Sequence, residues 1–142
     1  MRKASPHGRR PLTRAQLLPL PPAELRRIQL KHHVALAALR AEHADVAQLA
    51  TLLNAIYLTY FLDPADPAPC RRAESAVNQC ATRAEQGEPW ALTDLERAAI
   101  EHVLSRLDAQ LAAVPMHRYL AAFERLQRVT TADAIASPIP EN

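Results

Sequence analysis

Six histidines, two cysteines and four serines are the residues of this 142-residue chain with types suited to chemistry. A metal site needs ligands at short, convergent spacings. His32 and His33 are adjacent, so on a helix they point about 100° apart and cannot easily share an ion. No His pair stands at i, i+4, and Cys70 and Cys80 lie ten apart, outside any CxxC spacing. On one helix their Cα atoms would be about 15 Å apart. A disulfide needs them within about 7 Å, so the two thiols are expected to be free, as in a reducing compartment. His7 falls in an N-terminal arm, His33 and His102 on polar faces, and His117 off an apolar stripe. Only His32 lies squarely on a core face, where it reads as a satisfied core histidine.

Nucleophilic and phosphate chemistry find no better footing. Two glycines cannot build a phosphate-cradling loop, and no GxSxG elbow occurs. Ser5, Ser75, Ser105 and Ser137 have no histidine beside them on a plausible turn. Cys80 sits on a stripe of small residues and reads as a packed thiol. Acids and bases pair at helical spacing, as in Arg97–Glu101 and Glu124–Arg128, which is ordinary surface wiring. The expectation is that the protein is not an enzyme and holds no cofactor or metal.

The elements that would position these residues are helices. Alanine is the commonest residue, and the 12 prolines fall between the periodic segments. The centre is Val46–Leu62, uncharged and flanked by Asp45 and Asp63. Val46, Leu49, Leu53, Ile56, Tyr57 and Tyr60 share one broad stripe, with Leu52 and Phe61 at its edges. A membrane span takes about 20 apolar residues. This stretch contains Gln48, Thr51, Asn54 and Thr59, and a buried helix is the better reading.

Before it, a helix from Pro22 to about Glu42 carries Leu25, Ile28, His32, Ala35, Leu36 and Leu39 on one face. After it, a third helix over Cys70–Gln86 has a thin stripe of Ala73, Val77, Cys80 and Ala84, with Gly87 as its C-cap. Trp90 is expected to lid the core. Thr93 and Glu96 form a capping box for a fourth helix, which ends or kinks at Pro115. A fifth, to about Thr130, puts Met116, Tyr119, Leu120, Phe123 and Leu126 on one side. The expected architecture is all-α, a single-domain bundle of about five helices over residues 22–130, with an extended arm over 1–21 and a loose tail over 131–142.

Charge is uneven. Arg2, Lys3, Arg9, Arg10 and Arg14 stand in the first 14 residues without an acid, so the other 128 carry a net charge of −3 within a total of +2. This is a basic arm on a mildly acidic body. With Arg118, Arg125 and Arg128 near the other end, the arm could supply phosphate contacts to nucleic acid. A helix-turn-helix reader is not visible, because the turn at Glu42-His43-Ala44-Asp45 leads into the most apolar helix of the chain. Leu17, Leu18 and Leu20, set among Pro19, Pro21 and Pro22, form a polyproline-like strip. Either it straps over the bundle or it docks a protein partner. The N-terminus lacks an apolar run, so a secretory signal is not expected, and the expected location is cytoplasmic.

Two stretches carry a family resemblance. Pro11-Leu12-Thr13-Arg14-Ala15-Gln16-Leu17-Leu18-Pro19-Leu20-Pro21 is one. Ala113-Val114-Pro115-Met116-His117-Arg118-Tyr119-Leu120 with Glu124-Arg125-Leu126-Gln127-Arg128-Val129 is the other. Over residues 11–129 the chain resembles a group of short helical proteobacterial proteins, common in β-proteobacteria and often labelled "Fis family transcriptional regulator". The resemblance implies DNA-associated regulation, and the group offers no catalytic or binding residues to carry over. Fis-type regulators end in a polar, basic recognition helix, whereas here the last helix is an amphipath that begins at Pro115. From the residues, the expected role is a non-catalytic interaction or regulatory module; the alternative is a DNA-associated regulator using the basic arm.

Overall fold

The computed structural model describes residues 11–40, 44–131 and 136–141. Within them the chain is helical: α1 (Arg14–Leu17), α2 (Pro22–Arg40), α3 (Val46–Leu62), α4 (Ala68–Glu85), α5 (Asp94–Ala113) and α6 (Met116–Thr130). That makes six helices rather than five. The additional one is α1, where an extended arm was expected. Its cause is local: Thr13 Oγ1 accepts the Gln16 N–H and Gln16 Oε1 accepts the Thr13 N–H at 2.8 Å, a reciprocal capping box that closes a single turn.

The same device starts two longer helices. Asp45 and Gln48 cap α3, and Thr93 and Glu96 cap α5. α4 begins with Pro67 before it and Pro69 in its first turn, where a missing N–H is harmless. It ends in a Schellman turn. Gly87, at φ 92°, donates to the Ala84 carbonyl, and Glu88 donates to the Arg83 carbonyl at 3.1 Å. Pro115 ends α5, and the chain turns there into α6.

α3 is the post of the bundle, packing against α2, α4, α5 and α6. Its deepest residues are Leu52, Ala55, Ile56 and Thr59, and the Thr59 hydroxyl returns its hydrogen bond to the Ala55 carbonyl at 2.8 Å. The expected stripe is therefore rotated. Ala55, Leu58 and Thr59, outside that stripe, are buried, while Val46 at the head of the stripe is 65% exposed. A helix that is apolar nearly all round has no face its own sequence can single out. Which side lies deepest is decided by α5, whose Ile100, Val103, Leu104, Leu107 and Leu111 complete the core.

The far end of α3 is fixed by side chains from α5 and α6. Gln110 donates to the Thr59 carbonyl, Arg118 to the Leu62 carbonyl, and Arg106 to the carbonyls of Asp63 and Asp66. Arg106 also pairs with the Asp63 carboxylate at 2.9 Å. These donors meet the partial negative charge at the C-terminus of α3 and the carbonyls of its last turn and of the chain just beyond it. On the other flank, Arg83 of α4 grips the Glu96 carboxylate of α5 at 2.6 and 2.8 Å and the Ala91 carbonyl at 2.9 Å. Glu96 thus serves the α5 cap and the α4–α5 clamp together.

A second departure lies within residues 136–141: where a loose tail was expected, Ile139 is buried in the core cluster at 4% exposure, while residues 132–135 and 142 lie outside the described residues. Arg71 of α4 donates to the Pro140 carbonyl at 3.2 Å. Trp90 is half-buried against the core, as a lid would be.

Candidate interaction surfaces

The leucine strip divides in two. Leu20 is buried at 5%, whereas Leu17 and Leu18 stand out at 56% and 53%. Backbone holds the strip down: the Leu18 carbonyl accepts the Met116 N–H at 2.8 Å, and Pro19 and Pro115 form an isolated bridge. α1 thereby lies on the start of α6. Leu17 and Leu18 are carried on a fixed backbone with their side chains outward.

α6 also exposes apolar side chains. Of the stripe expected to face inward, Leu126 is buried and Met116 and Tyr119 are half-buried, but Leu120 and Phe123 are exposed. The buried line also runs through Ala122, so the helix is turned so that a small residue meets the core. Phe123 stacks on Tyr119 with ring centroids 6.0 Å apart. Burial pushes the Tyr119 hydroxyl above its usual range, with Glu24 adding to the shift. Leu17, Leu18, Leu120 and Phe123 thus supply apolar surface from two elements that touch. The sequence signal for Phe123 was ambiguous, because an aromatic on an amphipathic stripe reads as core unless the helix's rotation is known.

The basic residues near the other end contact the chain's own groups. Arg118 caps α3, the Arg125 guanidinium sits 4.7 Å from the centre of the Phe61 ring, and Arg128 pairs with Glu124 at 3.3 Å. Arg14 is exposed in α1. Arg2, Lys3, Arg9 and Arg10 lie outside the described residues.

The buried titratable groups are set by desolvation. His32, 7% exposed, has its pKa lowered to about 4, first by burial and then by Lys31. It is a core histidine but not a satisfied one: Nδ1 has no hydrogen-bond partner among the described residues. Its neighbour His33 is exposed and meets Asp108 at 2.8 Å. Cys70 and Cys80 are both free and buried on α4. Burial raises the Cys70 thiol to about 11, and raises Cys80 too, whose Sγ lies 3.4 Å from the Ala91 carbonyl. Thiols held protonated in this way are poor nucleophiles. Among the described residues, no three His, Cys, Asp or Glu side chains are grouped to hold a metal, and no helix is long and apolar enough to cross a membrane.

A groove of about 560 Å³ runs along α4, between its outer face and residues 137–141. Arg71, Glu74, Ser75 and Asn78 line it, together with Ser137 and Ile139. The Tyr57 hydroxyl donates to Glu74 at 2.6 Å, bracing α3 against α4 there. Burial, and then Glu74, raise the Tyr57 hydroxyl pKa, while Ser137 pulls it the other way. Ile139 was missed by sequence reasoning. Its signal was a single branched aliphatic between two prolines, a pattern suited to an anchored extended segment. No family model, curated protein or solved structure matches this chain.

Proposed function

We propose that this protein is a non-catalytic helical interaction module that docks a protein partner through the apolar surface of α1 and α6. The observation that carries the reading is the division of the leucine strip. Leu20 and the Leu18 carbonyl anchor the segment, so Leu17 and Leu18 are presented at more than half exposure on a fixed backbone. Exposed apolar side chains cost little singly, but several on touching elements mark surfaces that partners cover. An aromatic such as Phe123 is the type of residue that anchors an interface. Pre-positioning the strip lowers the entropy lost on binding.

The experiment is a pull-down from native lysate comparing wild type with Leu17→Asp, Leu18→Asp and Phe123→Asp. The expected result is loss of the same captured protein with all three variants while their thermal melts stay close to wild type. If the folded variants capture what wild type captures, in equal amount, the α1–α6 surface is not the interface.

A second reading, DNA-associated regulation, is supported by the charge of residues 1–14 and by the resemblance to proteins labelled as Fis-type regulators. An arm without acids can clamp phosphates without reading bases. Binding to mixed-sequence DNA at low salt, with and without residues 1–14, tests it. No salt-sensitive binding, or no loss on truncation, removes the arm as a phosphate clamp.

A further inference from the structure

We infer that the seat of Ile139 on α4 is a second docking site, for an extended peptide segment with a branched aliphatic residue flanked by prolines, and that residues 137–140 occupy it as an internal competitor. This surface is separate from the α1–α6 face and does not depend on that reading.

The manner in which the segment is held supports an exchangeable ligand. One side chain, Ile139, is buried in the core cluster, while Ser137, Pro140 and Glu141 around it are exposed. Among the described residues, the polar contacts to the bundle are Arg71 donating to the Pro140 carbonyl, a backbone group that any peptide possesses, and the Ser137 side chain meeting the Tyr57 hydroxyl. A single apolar anchor with main-chain hydrogen bonding is a recurrent mode of peptide recognition. Pro138 and Pro140 fix φ on either side of the anchor, and the Ser137 hydroxyl accepts the Ile139 N–H at 3.1 Å, so the bound shape is set within the segment itself. Preorganisation of this kind lowers the entropic penalty of seating it.

The receiving face is independently braced. Tyr57 joins α3 to α4 through Glu74, and Arg83 joins α4 to α5 through Glu96, so α4 is secured by contacts that do not involve the segment. Ser75 and Asn78 extend the groove with uncharged donors and acceptors suited to a peptide backbone. A segment held, among the described residues, by one buried side chain and a few exposed polar contacts belongs to the part of a protein that opens most readily.

The test uses the full chain carrying Ile139→Asp and a synthetic peptide Ala-Ser-Pro-Ile-Pro-Glu, the sequence of residues 136–141. Backbone amide shifts of Arg71, Glu74 and Asn78 are followed as peptide is added to millimolar concentration. Saturable shifts are expected in the variant. In wild type the midpoint is expected about tenfold higher, because the tethered segment competes at a millimolar effective concentration. A peptide with aspartate in place of isoleucine gives no shifts. The inference is overturned by a folded variant that shows no shifts, or by equal midpoints in variant and wild type. It is overturned equally if both Ile139→Asp and the milder Ile139→Ala fail to fold, which would make the segment an integral part of the core. Leu17→Asp serves as a control expected to leave the peptide midpoint unchanged, separating this site from the α1–α6 surface.

Discussion

His32 illustrates how a single residue's surroundings set a property of the whole chain. Its folded pKa lies near 4, below the 6.5 of an exposed histidine, because burial disfavours the charged ring. Between those values the unfolded chain binds more protons than the folded one. Stability is therefore fully present above about pH 6.5 and declines as the pH falls towards 4, by at most about 3 kcal/mol. Urea denaturation at a series of pH values should show this slope, and His32→Leu should flatten it. At neutral pH the same substitution should be neutral or mildly stabilising, since it removes a buried nitrogen without a partner. A large loss at pH 7 would mean that the ring is satisfied after all. The leucine strip makes the complementary point. Leu20→Asp should cost about 2 kcal/mol or more, by placing a charge where a buried leucine stood, whereas Leu17→Asp and Leu18→Asp should stay within about 0.5 kcal/mol of wild type. Sequence identified His32 and the strip as notable. It could not divide Leu17 and Leu18 from Leu20, because that division follows from where Met116 and Pro115 meet the backbone.

At the scale of elements, the termini were the most legible part. Pro22, Asp45, Thr93, Gly87 and Pro115 each mark a boundary through local chemistry that needs no tertiary partner. The same rule, applied at Thr13 and Gln16, yields α1, which was hidden only by the surrounding prolines. Thr93→Ala should destabilise by about 1 kcal/mol, the usual loss of an N-cap, measured by chemical denaturation. Arg83→Ala should be worse, at about 2–4 kcal/mol, because it strands the buried Glu96 carboxylate without its cation. Arg83 holds the Glu96 carboxyl below its ordinary range, so this clamp contributes stability above the unfolded carboxyl pKa and loses it as the pH falls through the lower, folded value. A double-mutant cycle with Glu96→Gln should show strong coupling; additive losses would mean that the clamp contributes little. The pairing of Arg83 with Glu96 was invisible in sequence, since it joins α4 to α5 across the connection that follows the Gly87 cap.

For the whole molecule, α3 is the common partner of four helices, and its core should respond as a close-packed interior does. Leu52→Ala should cost about 2–5 kcal/mol, through lost burial and the cavity left behind. The two thiols, both buried on α4, should resist a thiol reagent in the native protein and react together on denaturation. Early modification of either would show that α4 opens locally. The all-helical class, the boundaries of the long helices and the central place of α3 followed from the sequence, because helix propensity, capping and apolar periodicity are local properties written within about four residues. Rotation about the helix axes was decided only by the tertiary structure. α3 is apolar on nearly every side, so its sequence ranks no face above another, and α6, although amphipathic, is turned so that Ala122 rather than Phe123 lies at its buried line. The seat of Ile139 lies further still beyond local reach. One aliphatic side chain between prolines gains its meaning from Arg71, 68 residues earlier in the chain, and only folding brings the two together.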